Sequence, residues 1–304
     1  MWRCRKSPKM TLLFLQTLDF FYRFKRCVYL CVLHAFRNMT LVLVLKVPEG
    51  LVLAAESRVT VKADDKFGKK YIGNYDTATK LLSFKTQKYI GALVYGDEPI
   101  IGKKAVSQYI PEFESKPELQ LKRLSVEDFA KKLQDFFAEK REKKAHAQQK
   151  EKGDINFLVA GFNEGEEYGR VYWVGIPSKP NVEPMSLMTN VCTYFPAGQL
   201  EIVQRLLKGY DPKLLDILAS KFNFNEQVIN VLQAELGKLE QQLMIPFGLL
   251  SLQDSVKLAE FLIKTTINVQ RFAVSTRGCG GAIDICTITV WEGLRHIQRK
   301  DIIS

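Results

Sequence analysis

Thr40, Glu56 and Lys80 are the residues whose types and spacing could do chemistry. Thr40 follows Met39 and opens the stretch TLVLVLKVPEGLVLAAESRVT. A threonine hydroxyl is a poor nucleophile near neutral pH and needs a base beside it. If Thr40 becomes the first residue after removal of Met39, its own α-amine, with an unperturbed pKa of about 7.7–8.0, can act as that base. Glu56 lies sixteen residues further on, followed by Ser57 and Arg58, and Lys80 stands in TATKLLSF. A nearby ammonium favours the ionised hydroxyl, and a carboxylate holds that ammonium in place. Amine, hydroxyl, ammonium and carboxylate together describe a threonine-nucleophile centre. Each residue alone has a plainer reading: a β-favouring Thr opening a strand, Glu56 and Arg58 as a salt-bridged strand end, Lys80 as an amphipathic strand-edge lysine.

The elements that must position these residues are strands. TLVLVLKV and LVLAAESRVT flank PEG, where Pro48 and Gly50 supply the fixed and the permissive φ of a short hairpin turn. Such a hairpin brings Thr40 and Glu56 to the same end. The near-continuous apolar character of both runs predicts strands covered on both faces. A polar excursion, VKADDKFGKKYIGNYD, precedes strands in TATKLLSF and YIGALVYG. Residues 125–138 predict a helix with Ser125 and Asp128 at capping-box spacing, and the charge run after it reads as a solvated helix end and loop. DINFLVAGF and GRVYWVGIP are two further strands joined by NEGEEY. Residues 199–245 read as several helices, Ser251 and Asp254 cap another, and GCGGAIDICTITV and EGLRHIQ close the chain as strands. This order predicts an α+β sheet-and-helix sandwich.

Composition narrows the function classes. Of the formal charge of +11, residues 1–38 hold +7, eight basic residues against Asp19, which leaves +4 on the remaining residues. A nucleic-acid partner is therefore not expected of the body of the chain; a basic nucleic-acid or membrane-surface binder would rest on residues 1–38 alone. The apolar runs of that tail are cut by Asp19 and by Arg23, Lys25 and Arg26, so no membrane span is expected. The tail reads as a propeptide, a membrane-surface anchor or upstream sequence joined by a misassigned start, the last being favoured, with residues 39–304 as the folded domain. Cys192, Cys279 and Cys286 lack paired spacing, and His34, His146 and His296 are scattered. No metal or cofactor is expected, and a reducing, cytoplasmic compartment is the simpler reading.

TLVLVLKVPEGLVLAAESRVT resembles, without a gap, the opening of the proteasome-type N-terminal-nucleophile hydrolases, which include proteasome β subunits, the HslV peptidase and bacterial relatives. KLLSFKTQKYIGALVYGD, NFLVAGFNEGEEYGRVYWVGIP and GCGGAIDICTIT resemble later segments of that family. The resemblance implies a four-layer αββα sandwich with an enlarged helical segment at about 199–250. It also implies a threonine peptidase acting on peptides or proteins, in which Thr40 attacks, Lys80 and Glu56 tune it and the N–H of Gly96 binds the oxyanion. Arg58, Cys279 and Gly280 would support the centre, and Val59, Ala78 and Val94 would line an apolar substrate pocket, with Glu98 as a source of basic preference. A homo-oligomeric ring is a further implication. Glu56 departs from the family's Asp, and Ala197, Thr276 and Cys279 from its supporting polar residues. Glu56 keeps the charge, whereas Ala197, Thr276 and Cys279 favour the alternative, a ring or scaffold subunit that has lost its chemistry.

Overall fold

The computed structural model describes residues 40–64, 70–96, 100–101, 104–145, 153–179, 181–242, 244–274 and 277–300. The tail, Met39, Glu98, His146 and Thr276 lie outside the described residues, which all belong to one unit, Asn38–Ser304. The strands are β1 (Leu41–Val47), β2 (Gly50–Glu56), β3 (Val59–Asp64), β4 (Lys70–Tyr75), β5 (Leu81–Ser83), β6 (Ile90–Gly96) and the short β7 (Ile100–Ile101) and β8 (Lys104–Ala105). They continue as β9 (Ile155–Gly161), β10 (Arg170–Ile176), β11 (Glu183–Pro184), β12 (Thr193–Gly198), β13 (Ile283–Thr289) and β14 (Gly293–Gln298). The helices are α1 (Ile110–Glu114), α2 (Pro117–Gln120), α3 (Val126–Ala145), α4 (Glu201–Lys208), α5 (Lys213–Phe222), α6 (Glu226–Gln242) and α7 (Leu252–Phe272).

The fold is α+β, with antiparallel pairing in both large sheets. One sheet has the order β12-β1-β2-β13-β14, the other β11-β10-β9-β6-β5. Period-2 alternation, with both faces of the sheet covered, explains why β1 and β2 are apolar apart from Lys46 and Glu56. Leu41, Leu43, Leu45, Val52 and Ala54 pack with Ala259, Leu262 and Ile263 of α7. Val42, Val44, Leu51, Leu53 and Ala55 face Leu93, Leu158 and Ala160 of the other sheet. That second sheet turns Ala92, Val94, Phe157 and Val159 toward Phe129, Phe136 and Phe137 of α3. Each of these large side chains contributes roughly 1.5–3 kcal/mol when taken fully out of water.

Both long helices begin as their sequences predict. Ser125 Oγ accepts the N–H of Asp128 at 3.0 Å, and Ser251 Oγ accepts that of Asp254 at 3.1 Å. Helix α3 runs on to Ala145, beyond the expected residue 138, helped by the (i, i+4) pairs Glu127–Lys131 and Glu139–Lys143. The polar excursion contains a hairpin of β3 and β4, which form a separate two-stranded sheet. In TATKLLSF only Leu81–Ser83 is strand.

Gly50 is not the turn residue its position suggested. Its φ is not in the left-handed region, and the turn residues are Pro48 and Glu49. A Cβ at Gly50 would lie 2.6 Å from the carbonyl oxygen of Ile288, so close strand approach demands the glycine. β12 carries Pro196 opposite Leu43, a residue that obscures a strand in sequence but is tolerated at the edge of a sheet.

Candidate active site

The pairing of Val42 with Ala55 places Leu41 level with Glu56, so β1 starts where β2 ends. Lys80 comes from the other sheet, just ahead of β5, and its carbonyl accepts the N–H of Val94 at 2.8 Å. The three side chains meet at the end where the two sheets face each other. Lys80 Nζ donates to Thr40 Oγ1 at 3.0 Å. The same ammonium donates to Glu56 Oε1 and to the carbonyl oxygen of Arg58. Thr40, Glu56 and Lys80 are 6%, 1% and 2% exposed, so this polar cluster is almost completely withdrawn from water.

The carboxylate of Glu56 is held on every side. Its Oε1 also accepts the N–H of Leu41 at 3.3 Å, and its Oε2 accepts the N–H of Arg58 at 2.7 Å and of Gly280 at 3.0 Å. Burial pushes the Glu56 carboxyl up from its ordinary range, while the Lys80 ammonium and the Gly280 and Arg58 N–H groups pull against that push. A buried pair of this kind persists only when the remaining lone pairs and protons find partners, as they do here.

Arg58 is fixed by a residue that sequence reading passed over. Its guanidinium forms a bidentate bridge to Asp76, Nε–Oδ1 at 2.6 Å and Nη2–Oδ2 at 2.8 Å. That hydrogen bonding holds the Asp76 carboxyl below its ordinary value and the guanidinium above its own. Gly280 lies flat on the guanidinium, and a Cβ there would sit 2.3 Å from Arg58 Cζ. Gly281 adopts φ +75°, beside the carbonyl oxygen of Asp76. Asp76 left no mark in the sequence because its partner is 18 residues away, at the other end of the β3–β4 hairpin.

The chain around Thr40 is anchored from β12. The Thr40 carbonyl accepts the N–H of Gln199 at 2.8 Å, and Gly198, at φ +94°, lies so close that a Cβ would sit 1.7 Å from that oxygen. Gln199 Oε1 in turn takes a hydrogen bond from Gln270 Nε2 on α7 and one from Cys279 Sγ at 3.3 Å. Cys279 is 1% exposed, and burial pushes its thiol well up, so it stands as a neutral donor directed at Gln199 rather than at Thr40.

The remaining expected residues are placed less directly. Gly96 ends β6 at φ +130°, where a Cβ would lie 2.2 Å from the Asp154 carbonyl oxygen. Val94 is buried in the cluster beneath α3. Val59 opens β3, and Ala78 is linked by its N–H to the Ser57 carbonyl at 2.9 Å and by its carbonyl to Lys300 Nζ at 2.9 Å. Ala197 is buried opposite Val42, between the sheets.

Comparison with known proteins corrects the family named from the sequence. No family model matches the chain, and no curated protein does. Among solved structures it is similar to Anbu (ancestral beta-subunit) from Yersinia bercovieri, at 15% identity over 86% of this chain and 88% of that one, with a TM-score of 0.48. It is also similar to an Anbu (Gly-1) mutant from Hyphomicrobium sp. strain MC1, at 15% identity over 86% and 90%, TM-score 0.49. A third likeness is the Anbu complex from Pseudomonas aeruginosa, whose structure is a helical assembly, at 15% identity over 86% and 88%, TM-score 0.49. These neighbours are Anbu proteins, a family distinct from proteasome β subunits and HslV, and the earlier attribution is withdrawn. Likenesses this distant assign no activity, so the functional reading rests on the geometry around Thr40.

Proposed function

We propose that this protein is a threonine-nucleophile amide hydrolase, with Thr40 as nucleophile once Met39 and the segment before it have been removed. The observation that carries the reading is the hydrogen bond of 3.0 Å from Lys80 Nζ to Thr40 Oγ1, made by an ammonium that Glu56 holds in a site almost closed to water. An ammonium in that position lowers the cost of ionising the hydroxyl. The freed α-amine takes the hydroxyl proton as Oγ1 attacks a peptide carbonyl, and returns it to the departing amine. An ester on Thr40 remains, which water then hydrolyses with the same amine as base.

Gly96 is the proposed oxyanion donor. In an antiparallel strand alternate N–H groups leave the same edge. Val94 donates its N–H to the Lys80 carbonyl at 2.8 Å, and Gly96 follows two residues later at the end of the same strand, which supports the assignment. Preorganised donors of this type contribute roughly 2.7–4 kcal/mol to transition-state stabilisation. Val59, Ala78 and Val94 are proposed to line the neighbouring pocket, with an apolar preference. The layering supports a four-layer αββα sandwich of the kind N-terminal-nucleophile hydrolases use, since α3 and α7 cover the outer faces of the two sheets.

Homo-oligomerisation and a cytoplasmic location belong to the same reading. Ile217, Phe222, Val231 and Phe272 on α5, α6 and α7 are exposed, which supports association of copies. Cys192, Cys279 and Cys286 are free thiols, and no described helix is long and apolar enough to cross a membrane.

A second reading is a non-catalytic subunit with the same fold. It is favoured by the sparse surroundings of the nucleophile: among the described residues, Lys80 alone bonds the Thr40 hydroxyl, and Cys279 turns its thiol to Gln199. N-terminal sequencing of the natural protein, followed by reaction with a threonine-directed peptide epoxyketone, separates the two. A free Thr40 carrying one adduct, absent in Thr40→Ala, is expected. An N-terminus that stays upstream of Thr40 establishes the non-catalytic reading instead.

A further inference from the structure

Lys80 reaches the site from residues 76–80, a stretch between β4 and β5 that belongs to neither strand. Thr77 and Thr79 are exposed and Ala78 is half-buried, so bonds rather than core packing must fix its course. Asp76 is tied to Arg58 at one end, and the Lys80 carbonyl to the Val94 N–H at the other. Between them Ala78 is gripped twice. Its N–H donates to the Ser57 carbonyl at 2.9 Å, and its carbonyl accepts a hydrogen bond from Lys300 Nζ at 2.9 Å.

Lys300 follows β14 and is itself held twice by one carboxylate. Its Nζ donates to Asp284 Oδ2 at 2.7 Å, and its backbone N–H donates to Asp284 Oδ1 at 2.8 Å. The side chains of Lys300 and Asp284 are 14% and 10% exposed, against 44% for Asp76, so water competes less with this tie than with the Arg58–Asp76 bridge. Asp284 lies on β13 opposite Ala55, the neighbour of Glu56 in β2. The strand pair that places Glu56 therefore also places the ammonium that holds Ala78, two residues ahead of Lys80. We propose that Lys300, oriented by Asp284, is a positioning residue that keeps Lys80 within hydrogen-bond reach of Thr40. The contact at stake is the 3.0 Å bond from Lys80 Nζ to Thr40 Oγ1. Misplacement of a reacting group by about 1 Å can cost on the order of 10²-fold in rate.

The kinetic side of this inference rests on the reading of Thr40 as nucleophile; the placement of residues 76–80 does not. Amide hydrogen exchange, read on peptides spanning residues 76–82, is expected to quicken at least tenfold in Lys300→Met. It is expected to stay near wild type in Lys300→Arg, which keeps the charge and the donors, with residues 155–161 unchanged in both. Equal exchange in wild type and Lys300→Met, or exchange as fast in Lys300→Arg as in Lys300→Met, overturns the proposal. Epoxyketone labelling of Thr40 in the processed protein is expected to slow roughly tenfold to a hundredfold in Lys300→Met. The acid limb of its pH profile should move to higher pH, because an ammonium drawn away from Thr40 no longer disfavours protonation of the α-amine. Slower labelling with an unmoved limb marks loss of folded protein alone and counts against positioning. A wild type that never labels at Thr40 refutes the catalytic reading, and the exchange result then decides for Lys300. Should Lys300→Met not fold, Asp284→Asn, which leaves the lysine without its carboxylate, is expected to quicken exchange over the same peptides, and no change there overturns the proposal.

Discussion

Two lysines among the described residues, Lys80 and Lys46, are buried in opposite circumstances. Lys80 has Glu56 as partner, with both side chains almost fully buried. Removing one partner of such a pair costs about 3–5 kcal/mol, because the other is left uncompensated. Lys80→Met is therefore expected to lower the urea unfolding free energy by about that amount, and adding Glu56→Gln to recover part of it. A purely additive double variant would show that the two do not act as a pair.

Among the described residues Lys46 has no such carboxylate partner, and burial holds its pKa below the ordinary lysine value. Between the folded-state pKa and the ordinary value, about 10.4, the unfolded chain binds the extra proton, so stability rises with pH across that window and carries the full penalty below it. Urea unfolding from neutral pH upward is expected to show this rising component in wild type and to lack it in Lys46→Met.

Elements act on the site through backbone placement. β12 holds Thr40 by way of Gly198 and Gln199, so Gly198→Ala forces a methyl into the Thr40 carbonyl at a φ that L residues avoid. The conformation alone costs about 1–3 kcal/mol, and the overlap adds to it. Reduced stability together with loss of Thr40 reactivity is the expected outcome, measured by unfolding and by inhibitor labelling. α7 carries Gln270, which orders Gln199 and accepts the N–H of Cys279 at 2.8 Å. Ser251→Ala removes its N-cap and is expected to cost about 1 kcal/mol. Because the cap is at the other end of α7 from Gln270, labelling of Thr40 should be unaffected in folded protein.

On the scale of the whole molecule, the two sheets and their covering helices leave an apolar surface on α5, α6 and α7 that nothing in the chain's described residues covers. Lys213, Asp216, Lys221, Glu226, Glu235 and Lys238 lie on α5 and α6 with both signs of charge, a pattern that a second copy can complement. Sedimentation velocity is expected to show self-association that Ile217→Glu with Val231→Glu shifts toward monomer. An unchanged distribution would place any contact between copies elsewhere.

How much of this was legible in the sequence follows from range. Hairpin periodicity and a turn put Thr40 and Glu56 at one end of β1 and β2, and the caps at Ser125 and Ser251 mark helix starts, because each depends on residues close in the chain. The contacts that complete the site are different in kind. Asp76 on Arg58, Gln199 on Thr40, Gly280 on Glu56 and Gln270 on Gln199 join segments from 18 to 224 residues apart. No local pattern encodes such pairs; they exist because two sheets pack face to face and bring loop ends together. The same packing decided that Gly50 serves a close approach rather than a turn, and that Lys46 is buried with its ammonium on the carbonyl oxygen of Thr189, 143 residues away.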